Sequence, residues 1–412
     1  MLRTALLAGL VASTICVPAA QAERYSFEQL MSAASASYPT VLSRESAREA
    51  AAADVKSAEW QRFPAPSIET NTDRSGNNNV VFRLQQVLWA GGGITGGIQA
   101  ARAQYDASDK AIREAQYDVV SQLIEAYVDA VRQQERRVIS RQNLKQHQLL
   151  DDTIKRRVAS EISPEVDHQL SLSRLSQAVN DLSVIDQALS RSLTTLSQLS
   201  GHSVTEATPL ELASIAVPAT RDLAVHDAVA VSPSLARLSF EERAAEAQVT
   251  VKKAALWPQV ALRYEKSFNN NASIYGATSD NRIMAVVQAQ PGAGLSAFTG
   301  VASAEARTRA ARQEREATMR DLERVISNAW NDREAARNQL EYANRARTSA
   351  QDVAESYKRQ YIIGRKAWLD VLNAVREATQ SELSVVDARA QLAVTTLKLA
   401  LYTDNLRLEV KK

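Results

Sequence analysis

Two very long helical patterns limit what this chain can fold into. The first runs from about Ile94 to Val158 and the second from about Leu295 to Ile363. At 1.5 Å per residue, each pattern predicts a helix on the order of 100 Å long. Helices of this length are typical of coiled coils and helical arrays rather than of compact globules. The chain is therefore predicted to be mainly α-helical and elongated.

The same unit occurs twice along the chain. Pro39 and Pro64 lie 25 residues apart, and Pro233 and Pro258 repeat this spacing 194 residues later. Each pair brackets a stretch rich in Ala, Glu and basic residues, which predicts a helix opened by its first proline. Self-similarity at a fixed offset indicates repeated structural units. The predicted repeats are residues 23–220 and 221–412.

The chain opens with a predicted secretory signal peptide, residues 1–22. Arg3 precedes an apolar stretch, and Ala20-Gln21-Ala22 provides an A-x-A cleavage site. Cys16, the one cysteine of the sequence, lies inside this segment, so the mature chain is expected to have no disulfide, thiolate metal site or cysteine nucleophile. We therefore expect an exported protein that is not a lipoprotein.

Each repeat continues into a pair of alternating segments that predicts a β-hairpin, at residues 66–88 and at residues 259–290. Apolar side chains such as Phe82 alternate with polar ones such as Arg83, as in a strand with one buried face. Lys266 interrupts the apolar face of the third strand. The pattern is compatible with membrane-facing strands and with surface hairpins of a soluble protein.

A shorter helical pattern returns along each long helix, from Pro164 to about Ser200 and from Ala367 to about Leu406. The first return helix carries apolar heptads that require a partner helix. In each half, the proline-opened helix and the return helix together nearly equal the long helix in length. They are therefore predicted to stack end to end beside it, with residues 201–220 as the join at mid-height.

Glycine-rich turns connect the hairpins to the long helices. These turns contain Gly91, Gly92 and Gly93 in the first half and Pro291, Gly292 and Gly294 in the second. Gly91, Gly93 and Gly96 match G-x-G-x-x-G, but no second parallel strand follows, so a dinucleotide site is not expected.

No cofactor, metal site or enzyme activity is predicted, because the histidines are widely separated and no nucleophile is paired with a base. The formal net charge of +2 gives no reason to expect nucleic-acid binding.

The strands suggest an oligomer. Four strands cannot close a barrel, because small barrels need about eight. Three chains would supply enough strands, and a closed barrel satisfies the backbone hydrogen bonds of strands in lipid. An exported chain with half-apolar hairpins at one end of a long rod is therefore expected to form a homotrimer in outer-membrane lipid, with the rod in the periplasm.

The chain resembles the TolC family of outer-membrane channels over essentially the whole mature length. The resemblance is carried by the two proline-bracketed copies, by QQVLWAGG at residues 85–92 and by the YxxGxxxxLDVL pattern at residues 361–372. It implies a trimeric export duct in the outer membrane of a Gram-negative bacterium, opened from the periplasm by an adaptor (membrane fusion) protein and an inner-membrane pump. The turn QPGAGLS at residues 290–296 resembles the branch that serves type I secretion of large adhesins.

The resemblance also implies a gate at the helix tips. Asp370 matches the first of two gate acids, whereas the second falls on Asn373. Tyr361 and Lys366 match the aromatic and basic residues of a lock whose counterpart in the first half is Asp167. Lysine in place of the common arginine removes bidentate pairing. The alternative interpretation of Asp370 and Lys366 is solvated charge at a hairpin tip.

Two turns form the predicted contact sites for the adaptor. Gly364 is expected to end the second long helix with a positive φ, and Arg365 follows it. Ser160 and Glu161 occupy the first tip, with glutamate where the family more usually has glycine.

A second functional class remains open, a periplasmic coiled-coil adaptor or scaffold of an export system. Such adaptors add modules of many short strands and usually a membrane anchor, whereas this chain has two symmetrically placed hairpins. The cargo, an exported protein or a small molecule, stays open, as does the kind of pump, an ABC transporter or another type.

Overall fold

The computed structural model describes residues 25–72, 78–212, 215–270, 277–290, 292 and 296–406. The predicted signal peptide lies outside these residues. The helices are α1 (Phe27–Ser37), α2 (Pro39–Trp60), α3 (Gly93–Ala159), α4 (Glu165–Ser200), α5 (Arg221–Val231), α6 (Pro233–Ala254), α7 (Ser296–Ile362) and α8 (Trp368–Tyr402). The strands are β1 (Ala65–Thr72), β2 (Asn78–Trp89), β3 (Gln259–Asn270) and β4 (Ala277–Gln288).

The two long helices confirm the length prediction. Helices α3 and α7 each have 67 residues and are about 100 Å long. Helices α2 and α4 pack along α3, and α6 and α8 pack along α7, as the length comparison predicted. Helix α3 also packs against α6 and α8, so the two halves form one bundle. Within the described residues, none of the helices combines the length and the apolar character that crossing a membrane requires.

Helices α1 and α5 were not predicted. Helix α1 begins with a capping box, in which Ser26 Oγ accepts from the Gln29 N–H (3.3 Å) and Gln29 Oε1 accepts from the Ser26 N–H (2.9 Å). Thr220 caps α5 by accepting from the Leu223 N–H. Proline then starts a new helix, α2 or α6, directly after each of these short ones, because its ring cannot continue the preceding helix.

The strands form one antiparallel sheet in the order β1-β2-β3-β4. Strands β2 and β3 come from different halves of the chain and pair from Asn78↔Asn270 to Trp89↔Val260. The register shifts between Val87 and Trp89, where the sheet meets the helices. This pairing joins the two predicted hairpins into a single surface.

The main core lies at mid-height, where α1, α3, α4 and α8 meet. Gly201 ends α4 with a φ of 71°, and the chain then lies against α3. Tyr127 is fully buried there and donates to the Thr208 carbonyl at 2.7 Å. Burial raises the pKa of Tyr127 to about 12. The described part of the 201–220 segment thus contributes to the largest apolar cluster, and Val204 and Ala207 are buried in it.

Candidate functional site

The tip between α7 and α8 is a tight left-handed turn. Gly364 has a φ of 74° and its N–H donates to the Tyr361 carbonyl, while the Arg365 N–H donates to the Gln360 carbonyl. These bonds satisfy the last carbonyls of α7 in the manner of a Schellman motif. Glycine is favoured at this position because a Cβ disfavours positive φ.

The tip between α3 and α4 makes the same turn without glycine. Glu161 has a φ of 58°, its N–H donates to the Val158 carbonyl, and the Ile162 N–H donates to the Arg157 carbonyl. Ser160 is the C-cap of α3. The two tips therefore share one hydrogen-bonding pattern. At the first tip a glutamate adopts the left-handed backbone conformation, which costs roughly 1–2 kcal/mol for residues other than glycine.

Asp370 is bound to its own helix. It lies three residues after the Ala367 N-cap of α8, and its Oδ2 accepts from the Ala367 N–H at 3.3 Å. The same oxygen is 4.0 Å from Lys366 Nζ. Lys366 in turn places its Nζ 4.2 Å from the centroid of the Tyr357 ring. Asp370 thus caps α8 and carries an accessible negative charge at the tip.

Tyr361 closes a small apolar cluster at the same end of the rod. Its ring centroid is 5.1 Å from that of Trp368, which packs with Ile154 and Leu372. The guanidinium carbon of Arg157 lies 4.9 Å from the Tyr361 centroid. The Tyr361 hydroxyl and the Trp368 indole nitrogen are both buried and have no hydrogen-bond partner.

Arg157 is a tip residue that the sequence reasoning missed. Its Nε donates to Ser163 Oγ at 3.3 Å, and its guanidinium covers Tyr361, so one side chain touches both tips. A basic residue in the last turn of α3 was the available signal, since such residues interact with the C-terminal end of a helix.

Asp167 lies at the start of α4, on the return helix of the first tip. Asp167 is in the first turn of α4, and its N–H donates to the Pro164 carbonyl. In the part of the chain that the structure describes, neither Lys366 nor Tyr361 pairs with Asp167. Asn373 is half-buried on α8, one residue after the buried Leu372. Lys366 and Tyr361 both lie against the small apolar cluster of the second tip, Lys366 through Tyr357 and Tyr361 through Trp368.

At the opposite end of the rod, glycines turn β2 into α3. Gly91 and Gly92 have φ values of 57° and 88°. A Cβ at Gly91 would lie 2.9 Å from the Trp257 Cβ, so the segment that follows α6 approaches this turn too closely for a side chain. Gly93 is the first residue of α3.

Of the predicted turn residues in the second half, the structure describes Gly292. Gly292 has a φ of 80°, again in the left-handed region. The predicted turn residues Pro291 and Gly294 lie outside the described residues.

The sheet has one apolar face that is open to its surroundings. Ile68 pairs with Phe82, and Ile68 and Ile283 are each 72% exposed. Lys266 lies on this face, as expected, with its Nζ 5.0 Å from the Phe268 ring centroid. The opposite face carries ion-paired side chains, so the sheet separates an apolar side from a charged one.

Exposed aromatic side chains surround the junction of sheet and helices. Trp60 lies 5.2 Å from Phe63 and Trp89 lies 6.5 Å from Trp257, measured between ring centroids. All four rings are exposed. Aromatic residues at the edge of an apolar band are typical of a membrane–water interface.

A family model described as "Outer membrane efflux protein" matches residues 224–404. The chain is thus similar to the outer membrane efflux protein family in its second half. It is 22% identical over 334 residues to the outer membrane efflux protein BepC of Brucella suis biovar 1 (strain 1330), which covers 80% of this chain and 72% of BepC. The family is one of outer-membrane proteins, so this chain lies in the outer membrane and its helices extend into the periplasm.

Solved structures share the fold at low identity. A membrane protein from Pseudomonas aeruginosa superposes with a TM-score of 0.80 at 19% identity, covering 92% of this chain and 93% of that one. CusC superposes with a TM-score of 0.81 at 16% sequence identity, covering 92% of both chains. The MtrE outer membrane channel of Neisseria gonorrhoeae, in its open state, gives 0.78 at 15% identity and covers 94% of this chain and 91% of MtrE. The resemblance to TolC-like channels is thereby confirmed, and the family is one of conduits rather than of enzymes.

Proposed function

We propose that three copies of this chain form a passive exit duct, with a barrel in the outer membrane and a helical tunnel in the periplasm. The observation that carries the proposal is an open four-stranded sheet with an exposed apolar face at one end of a rod about 100 Å long. Neither the edges nor the apolar face of such a sheet suit a monomer in water.

The sheet edges call for pairing between copies of the chain. Strands β1 and β4 are the two edge strands of a four-stranded sheet. In hydrocarbon, an unpaired edge leaves backbone groups unsatisfied, so β4 of one copy must pair with β1 of the next. Three copies of four strands give a twelve-stranded barrel. The face with Ile68 and Ile283 then faces lipid and the charged face lines the lumen.

The helices carry side chains that a neighbouring copy would cover. Val179 and Val184 on α4 are 52% and 56% exposed, although α4 keeps an apolar heptad seam. Tyr342 on α7 is 66% exposed as well. Packing α4 and α7 of adjacent copies together would close the tunnel wall and bury these residues.

The helix tips would form the periplasmic gate. In a trimer, one Asp370 from each copy would converge near the axis. Converging carboxylates favour cations over anions in a narrow pore. Lys366 and Asp370 form a partly exposed pair whose closest charged atoms are 4.0 Å apart, and surface pairs contribute only about 0–1 kcal/mol. A closure of that strength suits a gate that opens when a partner binds.

The partners would be a periplasmic adaptor and an inner-membrane pump. The turns at Ser160, Glu161, Gly364 and Arg365 form the far end of the rod and are exposed. The duct would serve a tripartite efflux system or, on the resemblance of its 290–296 turn, a type I secretion system. Crosslinking from a photoreactive residue at position 365, followed by mass spectrometry, would identify the adaptor and so separate the two systems.

The trimeric duct is tested with protein purified from outer membranes. We expect a band at three times the monomer mass in unheated SDS gels that collapses to monomer on boiling, and discrete cation-selective currents in planar bilayers. A monomer in the soluble periplasmic fraction that gives no current would contradict the proposal.

A further inference from the structure

The charged face of the sheet is organised in rows by the strand register. One row contains Ser67, Arg83, Glu265 and Arg282, because each residue is the direct partner of the next. Residues two positions apart on a strand share a face and lie about 6.6–6.8 Å apart. The neighbouring row towards the helices contains Arg263, and the neighbouring row towards the strand loops contains Glu69 and Asp280.

Glu265 is the centre of an arginine cluster. Its Oε1 accepts from Arg83 Nε at 2.8 Å, and its Oε2 accepts from Arg282 Nη2 at 2.7 Å. Arg263 Nη1 lies 3.8 Å from Oε1. The Glu265 side chain is only 7% exposed, whereas that of Arg282 is 63% exposed. The carboxylate is covered and guanidinium groups form the outer surface of the cluster.

The rows therefore carry opposite net charges. The two rows nearer the helices hold three arginines and one glutamate, a net charge of +2, and the next row holds Glu69 and Asp280, a net charge of −2. Glu69 Oε2 accepts from Arg83 Nη1 at 3.2 Å and links the rows. Asp280 is exposed and lies beyond Arg282 on the same edge strand.

We infer that this face forms two stacked charged rings in the barrel lumen, a basic ring on the tunnel side and an acidic ring on the loop side. The inference rests on the proposed trimeric duct, in which three copies repeat each row around the axis. Anions concentrate at the basic ring and cations at the acidic one, because charged walls of a narrow pore attract counter-ions. Arg282 and Asp280, being exposed, set the ion preference of the barrel.

The experiment measures reversal potentials of trimers in planar bilayers under a potassium chloride gradient at low salt. The Asp370→Asn chain is the background, so that the gate charge does not dominate the current. We expect Arg282→Gln to raise the permeability of potassium relative to chloride a few-fold, and Asp280→Asn to lower it a few-fold. Arg282→Lys keeps the charge and should leave the ratio unchanged.

Lys266→Gln is the matched control, because Lys266 is adjacent to Glu265 but lies on the lipid-facing side of β3. Removing this charge should leave the reversal potential unchanged. Each variant is first shown to migrate as a heat-modifiable trimer. If the trimers conduct but Arg282→Gln and Asp280→Asn leave the reversal potential unchanged, or shift it in the same direction, the two-ring inference is wrong and the proposed duct still stands. A chain that forms no trimer and conducts no current overturns the proposed duct as well.

Discussion

Single residues at the helix tips combine structural and electrostatic roles. Asp370 accepts a hydrogen bond from its own N-cap and also presents the charge expected of the gate. Tyr361 is held by Trp368 and Arg157, so the ring is fixed while its buried hydroxyl lacks a partner. Variants at these positions must therefore distinguish the effect of removing a charge from the effect of disturbing the local fold.

The Asp370→Asn substitution removes the charge but keeps an oxygen that can cap α8. We expect higher single-channel conductance and a weaker preference for cations than in the wild type, with amide exchange at the start of α8 unchanged. The Asp370→Ala substitution should also speed the exchange of those amides, since losing an acidic contact at a helix N-terminus destabilises the helix by about 0.3–1 kcal/mol. Lys366→Ala should likewise raise conductance.

The matched control is Asp352→Asn, the same chemical change at an exposed position of α7 away from the turn. It should leave conductance and ion preference at wild-type values. The gate role of Asp370 would be rejected if Asp370→Asn left both quantities unchanged.

Glu161 holds a positive φ in a turn where glycine would be unstrained. We expect Glu161→Gly to stabilise the first tip by up to about 1 kcal/mol, the relief of backbone strain being partly offset by the greater freedom of glycine in the unfolded chain. Hydrogen exchange across residues 156–165 should slow. The reverse change, Gly364→Glu, should speed exchange at the second tip, and faster exchange in Glu161→Gly would disprove the strain argument.

At the scale of elements, α3 and α4 bury a titratable group between them. His147 on α3 is 5% exposed, and its Nδ1 has no hydrogen-bond partner. Burial, followed by the nearby charge of Arg174, lowers the pKa of His147, while Asp181 acts in the opposite direction. The neutral form is therefore favoured while α3 and α4 are packed.

This burial predicts that the α3–α4 pair loosens in acid. A histidine whose pKa is lower in the folded chain contributes its full stability at any pH above its unfolded-state pKa of about 6.5. That stability is lost as the pH falls from the unfolded-state pKa towards the folded-state pKa. We expect amides around His147 and Arg174 to exchange faster at pH 5 than at pH 7.5, after correction for intrinsic rates. His147→Gln should abolish the difference.

His226 on α5 is the control, because its side chain is 80% exposed. His226→Gln should leave the pH response of α3 and α4 intact. If His147→Gln keeps the full response, another group is responsible for it.

At the scale of the whole molecule, the apolar contacts are divided along the rod. The large cluster lies at mid-height, and a small one of Ile154, Trp368, Val371, Leu372 and Val375 lies at the tips. Regions with few buried apolar contacts open at lower free energy than the global fold. The tips can therefore rearrange while the mid-height core keeps the bundle assembled.

The division of the chain into repeats between residues 220 and 221 remains a prediction; α5 begins at Arg221.

Much of the architecture could be predicted because its determinants are local. Proline at the first position of α2 and α6, glycine at position 364 and the alternation of the strands each act within a few residues. Helix α1 was missed although Ser26 and Gln29 have the spacing of a capping box. The contact of Arg157 with Tyr361 joins residues far apart in sequence, and no local pattern could reveal it.

The second helix tip shows where the sequence alone suffices. Residues 361–372 were enough to identify a helix end, a following helix and an exposed charge, because capping and periodicity are properties of neighbouring residues. Tertiary structure decided that Arg83, Arg263 and Arg282 surround Glu265, because strands from both halves must pair first. It also decided that Arg157 covers the Tyr361 ring, because the packing of whole helices fixes which tips face each other.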